Sequence, residues 1–156
     1  MSDREQLIAS IEKEFEGVAL KNGIGVYEAD AVDNNASQER LEKERVKDIR
    51  DDWRKLSDDL IDQYDSVLSF MDEDGLRFAI PAYMRFAVKN FDTCASSSVE
   101  AIIYVLGKRK NWGFLSISQK QVVANFLSFM VMEAGDCIDT SQASLVYENI
   151  WSEYDR

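Results

Sequence analysis

With 156 residues, 46% of them apolar and 11% aromatic, the chain has the length of one ordinary domain and enough apolar side chains to bury a core. Its 29 Asp and Glu against 18 Lys and Arg leave a net charge of −11, which disfavours nucleic acid as a direct ligand. There is no histidine, so histidine triads, histidine metal sites, Glu-x-x-His di-iron bundles and any imidazole base are excluded.

Taken in chain order, Ser2-Asp3-Arg4-Glu5 reads as a capping box opening a helix that carries Leu7, Ile8, Ile11 and Phe15 and stops at Gly17. Residues 17–36, with Gly17, Gly23, Gly25, Asn22, Asn34 and Asn35, show no period. They predict a long irregular connection with one short extended piece at Ile24 to Tyr27. Ser37 to Trp53 predicts a mostly exposed helix laced with opposite charges, its sparse apolar residues being Leu41, Val46, Ile49 and Trp53. Ser57-Asp58-Asp59 caps the clearest helix, on which Leu60, Tyr64, Val67 and Met71 form one apolar stripe with Ile61 and Leu68 beside it.

Residues 75–92 are almost continuously apolar and belong at the centre of the fold. Pro81, the single proline, predicts a break or kink at Ile80-Pro81 between two helices. Ser96-Ser97-Ser98 caps a helix closed by Gly107, Ser118 caps another through Met130, and Thr140 or Ser141 caps the last, which carries Val146, Ile150 and Trp151. No strand pattern competes over a useful length. The expected fold is therefore all-α: one helical domain over residues 1–156, of about seven helices, with a long irregular N-terminal connection. Its acidic half, 1–75, holds 21 acids and 10 bases, and its apolar half, 76–156, holds eight of each.

The segment Leu68 to Met84, with its Gly75-x-Arg77-Phe78-x-x-Pro81-Ala82-Tyr83-Met84 string, resembles the signature of an uncharacterised family of small bacterial proteins known only as a domain of unknown function. Ser98 to Leu106, Gln121 to Met130 with its Phe126-Leu127 pair, and Ile150-Trp151 follow in the same order, so the resemblance covers roughly residues 25–155. Ala79 stands where a tyrosine is expected. The resemblance implies a single, mostly helical domain and no assigned activity.

The sharpest constellation is acidic. Asp58, Asp59, Asp62, Asp65, Asp72, Glu73 and Asp74 follow one another without a basic residue. On one continuous helix Asp58, Asp62, Asp65 and Asp72 would lie within about 80° of each other, opposite the apolar stripe. Such a row is either a solvated face or a surface for a cationic protein, which would relieve the mutual repulsion of the carboxylates. Asp72-x-Asp74-Gly75 does not fit a calcium loop, because its glycine falls two places early and no Glu stands at the twelfth position. Lys108-Arg109-Lys110-Asn111-Trp112 suits the C-terminal dipole of the helix before it. Arg77 and Arg85, inside the apolar segment, need carboxylates or carbonyls as partners.

Cys94 and Cys137 lack CxxC spacing and read as buried or half-buried thiols in a reducing compartment. No dinucleotide fingerprint, P-loop or nucleophile elbow is present. The chain begins without an apolar h-region, and the stretch near Phe126 to Met132 is too short to span a bilayer, so a cytoplasmic protein without membrane contact is expected.

The function expected from these residues is a non-enzymatic acidic interaction module without catalytic residue, metal or cofactor. A bacterial immunity- or antitoxin-like inhibitor that covers a cationic, nuclease-type toxin with the seven acids is its concrete form. The alternatives are a small enzyme or ligand-binding domain with an anion pocket near Arg77, Tyr83 and Arg85, and a helical subunit of a homo-oligomer marked by exposed Trp112 or Trp151.

Overall fold

The computed structural model describes residues 1–93 and 96–155, which places the expectation for Cys94 outside the described residues. Among them the chain forms eight α-helices and no strand: α1 (Asp3–Glu14), α2 (Val26–Asp33), α3 (Gln38–Lys47), α4 (Asp58–Gln63), α5 (Glu73–Asn90), α6 (Ser97–Lys108), α7 (Ile117–Glu133) and α8 (Ser141–Val146). Short 3₁₀ turns at Trp53–Lys55, Val67–Phe70 and Ser152–Tyr154 and a π-helical turn at Tyr147–Trp151 complete it. This is the all-α, single-domain architecture the apolar periodicities predict.

α5 is the axis. Twelve of its 18 residues are buried, so it can only lie wrapped by other elements, and α1, α4, α6 and α7 pack around it. α7 also packs on α1 and α8, and α2 pairs with α3 against the Val67–Phe70 turn. Local caps set the ends that the sequence predicts. The Ser2 hydroxyl accepts from Glu5 N–H, that of Ser96 from Ser98 N–H, and Ser37 and Ser57 cap α3 and α4 in the same way. α7 starts at Ser116 rather than Ser118, because Ser116 and Gln119 form a reciprocal capping box, with bonds of 3.1 and 3.0 Å.

Several further expectations need correction. The first concerns residues 17–36, which contain α2 where an extended piece is expected at Ile24 to Tyr27. Its cap is remote: Asp48 accepts from Tyr27 N–H at 2.7 Å and Glu28 N–H at 3.3 Å. The second concerns the Ser37 to Trp53 helix, which stops at Lys47. Trp53 is only 1% exposed, and its indole N–H donates to the Phe15 carbonyl at 2.9 Å.

The third concerns Pro81, which lies inside an unbroken α5. Both halves of that helix are buried, and a break would uncover apolar area worth more than the one missing backbone donor. An interior proline costs about 3 kcal/mol relative to alanine, while the two lost carbons of buried surface return about 1.6 kcal/mol. Pro81→Ala is therefore expected to stabilise the protein by about 1 kcal/mol, read as a higher urea midpoint at unchanged slope.

The fourth concerns the amphipathic rod. α4 ends at Gln63, and after three intervening residues the 3₁₀ turn Val67–Phe70 begins. Ile61, Val67 and Leu68 are all buried, at 0%, 1% and 2% exposure. Val67 and Leu68 are neighbours 100° apart on a straight helix, and the break lets both face the core. The break is fixed by the Tyr83 hydroxyl, which donates to the freed Tyr64 carbonyl at 2.6 Å. Cys137 is exposed rather than buried or half-buried, and Trp112 and Trp151 are buried at 3% and 0% exposure, so neither tryptophan marks an oligomer contact.

Candidate functional site

With the rod broken, the seven acids separate into two groups. Four are engaged by the molecule itself. Asp58 pairs with Lys89 at 2.9 Å, Glu73 with Arg109 at 3.6 Å and Asp74 with Arg77 at 2.7 Å. Asp72 caps α5, where one carboxylate oxygen accepts from Gly75 N–H at 2.8 Å and from Ile24 N–H at 3.0 Å. The other three, Asp59, Asp62 and Asp65, are exposed and form no ion pair among the described residues. They follow one another at intervals of three residues, Asp59 and Asp62 on α4 and Asp65 between α4 and the Val67–Phe70 turn. Exposed pairs such as Asp58–Lys89 contribute only about 0–1 kcal/mol, so their cations neutralise the surface without fixing it strongly.

Asp65 opens onto a groove. One wall is the Val67–Phe70 turn and the start of α5, and the other is the outer face of α6. The first stretch holds about 430 Å³ between Asp65, Leu68 and Phe70 on one side and Glu100, Ala101 and Tyr104 on the other. The second holds about 330 Å³ between Leu68, Met71 and Leu76 on one side and Val105 and Lys108 of α6 with Arg109 just beyond it on the other. Leu68 and Ser69 line both stretches, which makes them one groove. Its floor is apolar and its two ends carry opposite charge, with Asp65 and Glu100 at one end and Lys108 and Arg109 at the other. Arg109 is partly occupied by Glu73 and also lies over the Trp112 and Phe114 rings, at 5.8 and 5.2 Å.

The sequence reading missed Phe70, Glu100 and Tyr104. A signal for Tyr104 was present: α6 buries Val99, Ile102, Ile103 and Leu106, and Tyr104 falls off that face. A large aromatic on the wet side of a buried helix has no packing reason to be there.

Other polar clusters close on themselves. Between α2 and α3, Glu44 is 8% exposed and lies between Lys47 and Arg40, both at 3.0 Å. The Lys47 hydrogen bond and the two positive charges hold its carboxyl below the usual range. Burial pushes the Asp48 carboxyl up, against the Tyr27 and Glu28 N–H groups that pull it down. The cavity beside Asp48 holds about 10 Å³, room for roughly one water. Arg45 donates to the Asn22 and Gly23 carbonyls and Arg50 to those of Lys21 and Gly23, so both guanidiniums hold the 21–23 loop.

Arg77, Tyr83 and Arg85 do not converge on a common point. Arg77 bonds Asp74, the Tyr83 hydroxyl bonds the Tyr64 carbonyl, and Arg85 bonds Glu12 at 3.3 Å and the Arg54 carbonyl at 3.2 Å while lying over Trp53. Burial pushes the Tyr83 phenol far above its ordinary value, which keeps it a neutral donor. Among the described residues no helix is long and apolar enough to cross a membrane.

A family model described as "Family of unknown function (DUF6714)" matches residues 3–155, a longer span than the resemblance over 25–155. No curated protein and no solved structure matches the chain.

Proposed function

Because the chain belongs to the DUF6714 family of unknown function, which lends it no activity, we propose from its surface that it is a non-enzymatic module that docks a basic protein. Asp59, Asp62 and Asp65 form the centre of that surface. The specific form of the reading is a bacterial, cytoplasmic inhibitor of immunity or antitoxin type that covers a cationic toxin. The observation that carries it is that these three carboxylates stand exposed without a paired cation among the described residues, while Asp58, Glu73 and Asp74 in the same run each have one. They also sit in the half of the chain that supplies the whole net charge. Carboxylates left in mutual repulsion gain when a cationic surface covers them, and their field speeds the encounter.

The test is affinity capture from the native host, then a salt titration with the triple variant Asp59→Asn, Asp62→Asn, Asp65→Asn. The captured partner is expected to be basic, with an association rate that falls steeply between about 0.05 and 0.5 M salt as the Debye length shrinks. The variant should bind at least about tenfold more weakly, with stability unchanged to within about 0.5 kcal/mol. An acidic partner, or an affinity that ignores both salt and the triple substitution, would overturn the proposal.

A further inference from the structure

The groove along α6 carries a more specific statement about the partner, which rests on the docking function above. Phe70, 37% exposed, and Tyr104, 55% exposed, are the large aromatic side chains left open to water among the described residues, and both line this groove. Isolated exposed apolar residues are ordinary, but two aromatic rings converging on one apolar cleft are the composition of a docking hot spot.

The walls decide what shape of segment can lie there. One is α6 and the other a 3₁₀ turn running into α5, so most of the lining residues belong to helical segments, and no strand edge occurs among the described residues. An extended segment would lay its own N–H and C=O groups against apolar side chains with nothing to bond them. A helix satisfies its backbone internally and presents only side chains. From Glu100 to Lys108 the groove follows eight residue steps of α6, about 12 Å, which matches two to three turns of a docked helix.

Charge sets the orientation. Asp65 and Glu100 at one end form no ion pair among the described residues, and Asp59 and Asp62 lie just before Asp65 in the chain. At the other end Lys108 likewise has no carboxylate among the described residues.

We propose that this groove receives one amphipathic helix of a partner protein, with apolar residues at i, i+3 or i+4 and i+7 resting on Leu68, Phe70 and Tyr104 and its cationic end against Asp65 and Glu100. A glutamate or aspartate at its far end meets Lys108. The negative surface of α4 brings the partner in, and the groove holds it.

The experiment selects from a displayed library of random 16-residue peptides on the full chain. The winners are then measured by fluorescence anisotropy against the parent protein and against Tyr104→Ser, Phe70→Ser and Glu100→Gln. Both aromatics are exposed, and far-UV circular dichroism checks that each variant keeps the fold. Enriched peptides are expected to combine a helical apolar stripe with Lys or Arg at one end. They should lose at least about tenfold in affinity on Tyr104→Ser and a few-fold on Glu100→Gln. No enrichment over an unrelated target, or winners indifferent to Tyr104→Ser and Phe70→Ser, would overturn the groove.

The two failures are separable. A native partner weakened by the triple aspartate variant but not by Tyr104→Ser leaves the acidic docking function standing and removes this inference. One weakened by Tyr104→Ser and by Glu100→Gln but indifferent to Asp59→Asn and Asp62→Asn supports the groove and removes the reading that centres the docking surface on α4.

Discussion

Replacing Trp53 with alanine is expected to lower the unfolding free energy by about 4–5 kcal/mol, the upper part of the range for a buried tryptophan. Three losses coincide. The ring, 1% exposed, leaves a cavity where the 3₁₀ turn Trp53–Lys55 meets α5. The Phe15 carbonyl, which accepts the indole N–H at 2.9 Å, is left without that donor. The Arg85 guanidinium, 5.0 Å above the ring centre, loses the face it stacks on. Trp53→Phe separates these contributions: it keeps most of the ring and removes the donor, and should cost about 1–3 kcal/mol. Domains of this size have about 5–15 kcal/mol in total, so the alanine variant should show a much lower guanidinium midpoint, whereas the phenylalanine variant stays folded at 25 °C. An alanine variant within about 1 kcal/mol of the parent would mean that the indole is not the anchor between the α1 end and α5.

Trp53 also shows where the sequence stops being informative. As the last apolar residue of a charged run, it reads as the sparse face of an exposed helix. Its burial depends on the Phe15 carbonyl, 38 residues earlier, and no local pattern carries that. α1, α6 and α7 are legible because their caps and apolar faces are written within a few residues of each other. α2 is not, because its capping carboxylate is Asp48, on the far side of α3. Pro81 misleads for a related reason: the local cost of a proline is real, but the burial that outweighs it comes from four surrounding helices.

The candidate site divides in the same way. That residues 57–74 are acidic is plain from composition, and so is a strong field around them. Which carboxylates remain unneutralised is a tertiary fact, since Lys89, Arg77 and Arg109 reach Asp58, Asp74 and Glu73 from α5 and the end of α6. The broken rod changes the geometry of the surface rather than its sign. The continuous strip of seven becomes three exposed aspartates leading into an apolar groove, and Glu100, from a segment with balanced charge, joins them. The Gly75 to Met84 string that carries the family resemblance lies almost wholly inside the core, so it speaks for the fold and not for this surface.

Gly75→Ala is expected to destabilise the protein by about 2–3 kcal/mol, although alanine is the better helix former by about 1 kcal/mol. A Cβ at this third residue of α5 would stand 2.3 Å from the Ile24 carbonyl oxygen, an overlap with backbone that no rotamer change relieves. The loop cannot simply retreat. Asp72 holds Ile24 N–H at 3.0 Å, while Arg45 and Arg50 hold the carbonyls of residues 21–23, and moving the loop breaks those bonds together. Gly135→Ala is the control, since a Cβ there meets nothing within 4 Å. Urea denaturation of the two variants should differ by the full 2–3 kcal/mol, about 1 M in midpoint at a typical slope. Hydrogen exchange should place the damage, with the Ile24 and Gly75 amides opening faster in Gly75→Ala and the α7 core amides following only the global loss. Met71 and Leu76 flank this contact and line the groove, so a displaced 22–25 loop should also weaken peptides selected on the parent protein. If the variant matched the control in stability and in Ile24 exchange, the close approach of the loop to α5 would not be what positions that wall.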